Sequence, residues 1–312
     1  MQTNELGALP TEARNPRTEH LDQLSTLDML RVINDEDATV AAAVRAELPH
    51  IASAIDGIAD RFQRGGRLFY VRAGTSGRLG VLDASEIPPT FSAPPELFIG
   101  LIAGGDRALR LSSEHSEDSS ELGAQDLAAT GFGKLSTAPA PEGSGPCVDT
   151  LIGIAASGRT PYVLGAIEYA KQRGALTIGL SCAPGSLLAT VSEIAITPAT
   201  GPEVLTGSTR LKAGTATKLV LNMISTGVMV RTGATYGNLM VNVRPTNAKL
   251  VDRAERIIAA ATGVERERAA QLLGESGSDV KTAIAMAKLN LSAEDARSRI
   301  AAAHGVLSRA LE

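Results

Sequence analysis

Two glycine- and hydroxyl-rich segments of the chain contain the residue types that bind phosphate groups. They are Gly74-Thr75-Ser76-Gly77 and Ser157-Gly158-Arg159-Thr160. Each follows an apolar run typical of a buried strand and precedes a segment with a helical pattern. Amides and hydroxyls at the start of a helix bind phosphate because several donors and the helix dipole converge on the anion. Either segment alone is equally consistent with a capped helix and an ordinary turn, whereas the pair favours a phosphate site. The candidate binding residues are Gly74, Thr75, Ser76, Ser157, Gly158 and Thr160.

The spacing of the glycines argues against the common nucleotide-binding loops. In the first segment and just after it, glycines occupy positions 74, 77 and 80. This G-x-x-G-x-x-G spacing differs from the G-x-G-x-x-G spacing of dinucleotide-binding folds. The chain contains no G-x-x-x-x-G-K-[ST] sequence, so ATP-dependent phosphoryl transfer lacks its usual anchor. A small phosphorylated molecule is therefore the expected ligand.

Two glutamates between the two segments could divide acid and base roles on such a ligand. This chemistry needs one carboxyl group protonated and the other ionised, a difference that burial and neighbouring charges create. Glu86 is flanked by apolar residues and by Pro88-Pro89, which favours a specific role. Glu117 lies in a polar run, where a solvated helix face is the simpler explanation, so the sequence alone does not select it.

A third loop, Gly201–Lys212, leads into a long helical segment. Its residues Glu203, Ser208 and Lys212 are further candidates for contacts with a phosphate or sugar oxygen. A capped helix whose lysine faces water explains the same residues equally well. The four histidines are scattered and have no metal-ligand spacing with the two cysteines, so no metal site is expected.

Five short apolar runs predict the strands that carry these loops. The runs are 68–71, 97–102, 151–154, 177–180 and 193–196. Because helical segments separate most of them, the pattern predicts an α/β fold with a doubly wound parallel sheet covered on both faces. Ligands of such sheets bind beyond the carboxyl ends of the strands, where the first two loops fall. We assign residues 55–235 to this sheet domain.

Residues 1–54 are predicted to form an arm followed by helices. The polar arm, 1–18, is expected to be extended, either wrapping a partner subunit or staying loose. Ser25 and Asp28 form a capping box that begins the first helix. Pro49 is expected to kink or divide the helical pattern that follows.

Residues 236–312 are predicted to form a small helical module. No strand pattern occurs beyond Asn247, and Ser292-Ala293-Glu294-Asp295 forms a second capping box. The segment Gly131–Pro146, rich in Gly, Pro, Ser and Ala, is predicted to be a surface loop.

The amino-acid composition limits the classes of binding partner and the cellular compartment that are expected. Hydrophobic residues make up 44% of the 312 residues, which is enough for a sizeable core. The net charge of -4, the 3% aromatic content and the absence of Trp argue against nucleic-acid binding. Two cysteines, Cys147 and Cys182, and the lack of a signal-peptide pattern indicate the cytoplasm. Lys218 and Asn222 interrupt the best apolar stretch, so no membrane association is predicted.

Four blocks of the sequence together carry a resemblance to one family. They are Thr11–Pro16, Ala73–Gly80, Ala155–Tyr162 and Gly201–Lys212. From about Thr11 to the C-terminus the chain resembles the N-acetylmuramic acid 6-phosphate etherase family. A generic sugar-isomerase domain would share the two phosphate loops but not the flanking blocks.

The resemblance implies a fold, a reaction and a set of roles. The fold is a sugar-isomerase-type α/β domain. The family cleaves the ether joining D-lactate to carbon 3 of N-acetylmuramic acid 6-phosphate during cell-wall sugar recycling, as a homodimer and without a metal or other cofactor. By this resemblance Glu117 matches the base that removes the carbon 2 proton, and Glu86 matches the acid that protonates the departing lactate.

Three departures and two alternatives accompany the resemblance. Arg72 stands where the family usually has Gly, Ile87 replaces the usual Cys, and Gly131–Pro146 resembles an insertion. A non-catalytic phosphosugar sensor similar to the glucokinase regulatory protein and an aldose-ketose phosphosugar isomerase remain alternatives. A sensor needs no paired acid and base, so the presence of Glu86 and Glu117 favours an enzyme.

Overall fold

A five-stranded parallel sheet forms the centre of the structure, a computed structural model that describes residues 11–109, 116–134 and 147–312. The strands are β1 (Leu68–Arg72), β2 (Phe98–Ile102), β3 (Thr150–Ile154), β4 (Leu176–Leu180) and β5 (Ile194–Ile196). They lie in the order β2-β1-β3-β4-β5, and every neighbouring pair is parallel. The predicted α/β fold class is confirmed, and each predicted apolar run coincides with a strand.

Helices precede, separate and follow these strands. They are α1 (Thr26–Asp37), α2 (Val40–Ala46), α3 (Leu48–Gln63), α4 (Gly74–Phe91), α5 (Ser120–Ala129), α6 (Pro161–Lys171), α7 (Leu187–Val191) and α8 (Lys212–Arg231). Short 3-10 helices occupy Pro16–Thr18, Leu21–Gln23, Pro95–Leu97 and Asp106–Leu109. Among the described residues, no helix is both long enough and apolar enough to cross a membrane.

The sheet brings the carboxyl ends of its central strands to one edge. Every residue of β1, β3 and β4 is buried, and since side chains alternate between the two faces, both faces are covered. Arg72 of β1 is level with Ile102 of β2 and Ile154 of β3. The turn into α4 and the loop before α6 therefore lie at the same edge, as the sequence predicted.

The N-terminal segment lies against the third loop. Within the described part of the predicted arm, the Thr18 hydroxyl donates to the Val204 carbonyl at 2.9 Å. Residues 11–18 are therefore not loose, because they are bonded to their own chain, whereas contact of this arm with a partner subunit stays a prediction. Ser25 begins α1, since its hydroxyl accepts from the Asp28 amide at 3.2 Å. Pro49 falls in the first turn of α3 and divides the helical stripe into α2 and α3, as predicted.

The chain divides into two compact units. The first comprises the described residues up to Ala84 together with Glu96–Ser225, and it contains the sheet. The second comprises Ser85–Pro95 and Thr226–Glu312. The divisions thus fall inside α4, inside the 3-10 helix Pro95–Leu97 and inside α8, whereas the sequence pattern predicts boundaries after 54 and after 235. A change in the hydrophobic pattern of the sequence cannot reveal a boundary between units that lies inside one continuous helix.

The second unit is mostly helical around its own apolar core. Its helices are α9 (Ala248–Thr262), α10 (Arg266–Glu275), α11 (Val280–Leu289), α12 (Ala293–Ala302) and α13 (Leu307–Ala310). Ile258, Leu272 and Ile284 are among the residues buried in this core. Ser292 caps α12 as predicted, with its hydroxyl 3.1 Å from the Asp295 amide. An antiparallel ribbon, β6 (Thr235–Tyr236) with β7 (Leu239–Met240), was not predicted, because two-residue strands are too short to show periodicity.

Candidate active site

The turn between β1 and α4 brings the start of α4 close to the carboxylate of Glu117. Gly74 begins α4 with a φ of +63°, a conformation that side chains disfavour. A Cβ built on Gly74 would lie 3.0 Å from Oε1 of Glu117. Glycine is therefore required here for the backbone conformation and for the close approach of this carboxylate. The partial positive charge at the start of α4 favours the anion.

The predicted ligands Thr75 and Ser76 fall in the first turn of α4. The backbone there is helical, but their side chains lie outside the described part of the structure. Their predicted contacts with phosphate stay predictions. The backbone position is one at which amides and hydroxyls lie beside the free end of the helix.

The second loop is a tight turn that ends at the start of α6. Gly158 is buried with a φ of +66°, and a Cβ there would lie 2.2 Å from Oγ of Ser186. Thr160 is the N-cap residue of α6, yet its side chain makes no capping hydrogen bond. Ser157 and Thr160 are both half-buried. The loop therefore offers a helix N-terminus whose cap hydroxyl is not used by the helix itself.

Glu117 connects the two loops. Its side chain lies at the start of α4, and its backbone carbonyl accepts a hydrogen bond from the Tyr162 amide, in the first turn of α6, at 3.1 Å. The structure thus brings Gly74, Glu117 and the Ser157–Thr160 loop together. The polar run around Glu117 gave no local signal for this position, because the contacts that fix it join residues far apart in the sequence.

Glu203 and Lys212, which the sequence suggested as substrate ligands, bind groups of the chain itself. The Glu203 carboxylate is buried and accepts from the amides of Lys212 and Ala213, both at 2.9 Å, so it caps α8. The Lys212 ammonium is buried and lies 2.7 Å from Oε2 of Glu36. Ser208, in the same loop, is half-buried.

Glu36 is the centre of a buried polar cluster formed with the N-terminal segment. Besides Lys212, it accepts from the Asn15 amide at 2.9 Å and pairs with Arg17 at 3.0 Å. Burial acts to raise the pKa of Glu36, but Lys212, Asn15 and Arg17 outweigh burial and hold that pKa below its ordinary value. The cluster fixes the third loop against α1.

Glu86 lies on the part of α4 that belongs to the second unit. Its side chain is exposed, so the apolar flanks that made it conspicuous in the sequence do not bury it within the chain. An exposed carboxyl group on a helix is accessible to a substrate.

A matching family places the sheet unit in a class. Residues 50–171 match the family described as the glucokinase regulatory protein N-terminal SIS domain. This span includes both candidate phosphate loops, residues 74–77 and 157–160, and the candidate glutamates Glu86 and Glu117. Together with the parallel sheet, this match indicates an α/β SIS domain within residues 50–171. A solved phosphoheptose isomerase from Francisella tularensis is similar, with a TM-score of 0.49 and 19% identity, covering 66% of this chain and 98% of that chain.

Relatives that match almost the whole chain define the family. The sequence is 52% identical to an N-acetylmuramic acid 6-phosphate etherase of Pasteurella multocida, over 99% of this chain and 98% of the relative. It is 50% identical to an N-acetylmuramic acid 6-phosphate etherase of Clostridium beijerinckii, over 100% of this chain and 98% of the relative. The chain belongs to the N-acetylmuramic acid 6-phosphate etherase family.

Proposed function

We propose that this protein cleaves the ether between D-lactate and carbon 3 of N-acetylmuramic acid 6-phosphate, consuming water and giving N-acetylglucosamine 6-phosphate. Membership of the etherase family supports the substrate and the bond. The observation that carries the proposal is the position of Glu117, whose carboxylate lies at the start of α4 and whose carbonyl bonds the first turn of α6. A carboxylate held between two phosphate-type loops is well placed to act on a sugar whose phosphate those loops bind.

The proposed reaction is an elimination followed by addition of water. In the open-chain sugar, the aldehyde at carbon 1 makes the carbon 2 proton acidic, and Glu117 accepts that proton. The electron pair forms the double bond between carbons 2 and 3, the bond from carbon 3 to oxygen breaks, and Glu86 gives a proton to the lactate oxygen. Water then adds to carbon 3 while carbon 2 regains a proton. The enzyme is thus proposed to be a carbon-oxygen lyase, with two carboxyl groups in opposite protonation states.

The first two loops are the proposed phosphosugar-binding elements. The first helical turn of α4 contains Gly74, Thr75 and Ser76. The loop immediately before α6 contains Ser157, Gly158 and Thr160. Thr160 is half-buried and its hydroxyl does not cap its own helix, which supports its role as a donor to the ligand.

The third loop is proposed to complete the binding site. Ser208 is its candidate for direct contact with the sugar. Glu203 and Lys212 contribute by fixing the loop, because their charged groups are bonded to the start of α8 and to Glu36.

The cellular setting is also a proposal. A role in the cytoplasm, in the recycling of cell-wall sugars, fits the reaction, because its substrate is a phosphorylated peptidoglycan sugar. The homodimer is what the family resemblance implies. Light scattering of the purified protein tests the dimer. A monomer that releases lactate at full rate would contradict it.

The direct test of the activity uses purified protein and N-acetylmuramic acid 6-phosphate, with D-lactate assayed enzymatically. Release of lactate together with an equal amount of N-acetylglucosamine 6-phosphate is the expected result. Folded protein that releases no lactate would overturn the proposed function.

Two variants test the division of roles. Glu117→Gln is expected to abolish exchange of the carbon 2 proton with solvent, whereas Glu86→Gln is expected mainly to slow lactate departure. Glu121→Gln is the matched control, since Glu121 is an exposed carboxylate in the first turn of α5. If Glu117→Gln and Glu86→Gln both keep the turnover of Glu121→Gln, the acid-base assignment is wrong.

A further inference from the structure

Arg72 is a buried cation that finds no hydrogen-bond partner among the described residues. It is the last residue of β1, in the interior of the sheet, and its exposed fraction is 0%. Its Nε, Nη1 and Nη2 atoms are all buried, and none has a hydrogen-bond partner within the part of the chain that the structure describes. Burial lowers the pKa of Arg72 well below its ordinary value, but a guanidinium starts from so high a pKa that it stays protonated in proteins. Burying this charge without compensation is strongly unfavourable. A role for its charge is therefore the natural explanation of its position.

The groups that face the guanidinium identify the anion that compensates it. The adjoining strands, Phe98–Ile102 and Thr150–Ile154, carry no charged residue. The titratable groups that act on Arg72 among the described residues are Cys182, which follows β4, and Glu117, which precedes α5. Burial raises the pKa of the Cys182 thiol to about 12, so this thiol is neutral near pH 7. Glu117 supplies the negative charge.

The chain places Glu117 beside the same strand end. Its Oε1 approaches Gly74, which follows Arg72 by two residues. The carboxylate thus lies at the start of α4 and within the field of the buried guanidinium. Burial from water strengthens the attraction, because the effective dielectric constant in the interior is far below that of water.

We propose that Arg72 is a positioning residue for Glu117: its buried guanidinium is the fixed counter-charge that keeps Glu117 in the carboxylate form, ready to accept a proton. The inference rests on the proposed function only in calling Glu117 the base. The electrostatic pairing itself is independent of any substrate. Arg72 touches no reacting atom in this scheme and acts through the carboxylate.

The sharpest test measures the protonation of Glu117 in the substrate-free protein. Glutamate labelled with carbon-13 at the carboxyl group is followed by NMR across a pH series, and Glu117→Gln identifies the resonance. Arg72→Met is expected to move the Glu117 midpoint upward by about one pH unit, because an opposite charge favours the ionised form. Arg72→Lys restores a cation and is expected to recover most of that shift.

A matched control separates a specific effect from a general loss of charge. Arg61→Met removes a half-buried arginine of α3 and is expected to leave the Glu117 midpoint unchanged. An unchanged midpoint in folded Arg72→Met would overturn the proposal. So would weaker binding of inorganic phosphate with an unchanged midpoint, which would make Arg72 a phosphate ligand instead.

A kinetic measurement connects the pairing with catalysis. The acid limb of the kcat/KM profile for lactate release is expected to move to higher pH in Arg72→Met by the same amount as the NMR midpoint, and to return in Arg72→Lys. A shifted midpoint in a protein that releases no lactate would leave the pairing intact and refute only the proposed function. Lactate release with an unshifted limb would refute the role of Arg72 alone.

Discussion

Replacing Lys212 with methionine leaves a buried carboxylate without its closest cation. The Lys212 Nζ atom lies 2.7 Å from Oε2 of Glu36, and the two side chains are 3% and 7% exposed. Removing one partner of a buried pair costs about 3–5 kcal/mol. Glu36 retains Asn15 at 2.9 Å and Arg17 at 3.0 Å, so the lower end of that range applies. We expect Lys212→Met to reduce the free energy of unfolding by about 3 kcal/mol.

The loss of stability in Lys212→Met is expected to depend on pH and to become smaller as the pH falls. The pKa of Glu36 is lowered in the folded protein, since Lys212, Asn15 and Arg17 outweigh the opposing effect of burial. The stabilisation is therefore complete above the ordinary glutamate pKa of about 4.3 and is lost as the pH falls through the lowered value. The difference in stability between the wild type and Lys212→Met should be full at pH 7 and shrink under acid conditions.

Urea unfolding followed by circular dichroism measures this difference. Lys171→Met is the control, because Lys171 is an exposed lysine of α6 and its loss should change stability by less than about 0.5 kcal/mol. A double-mutant cycle with Glu36→Gln should give a coupling of about 1 kcal/mol or more. If Lys212→Met and Lys171→Met unfold at the same urea concentration, the buried pair does not stabilise the fold and the reasoning is refuted.

Three further substitutions test the site. Gly74→Ala should lower the rate of lactate release at least about tenfold, because a Cβ there meets Glu117. The control is Gly263→Ala, at a similar φ of +79° and with no described atom within 4 Å, which should cost only about 1 kcal/mol of stability. Equal rates of lactate release in the two variants would contradict the role of Gly74. Gly158→Ala should weaken binding of N-acetylglucosamine 6-phosphate measured by calorimetry, since a Cβ would lie 2.2 Å from a serine Oγ, and unchanged affinity would contradict the loop assignment. Arg72→Met should lower the melting temperature, because it removes the buried counter-charge and leaves the Glu117 carboxylate in place; an unchanged or higher melting temperature would contradict the pairing.

The sheet and the two loops were predictable because their signals are local. Strands buried on both faces appear in the sequence as continuous apolar runs, and β1, β3 and β4 are buried in this way. The proline at the start of α6 and the serine before α1 mark helix starts by their own chemistry. These features need no knowledge of the rest of the chain.

The arrangement of the charged residues was not predictable, because it depends on contacts between distant segments. Lys212 and Glu36 are 176 residues apart in the sequence, and nothing near either residue indicates the other. The loop alone therefore predicts that Lys212 is a ligand of the substrate. The place of Glu117 at the start of α4 likewise follows from the folded chain, and only the family resemblance pointed to this residue.

Isotope labelling of the reaction tests the proposed chemistry most directly. Purified protein is incubated with N-acetylmuramic acid 6-phosphate in water enriched in oxygen-18, and both products are analysed by mass spectrometry. Elimination followed by addition of water at carbon 3 predicts a labelled oxygen on carbon 3 of N-acetylglucosamine 6-phosphate, located by fragmentation and distinguished from the exchangeable oxygen of carbon 1, and none in D-lactate. Label in the lactate, or no products from folded protein, would contradict the account.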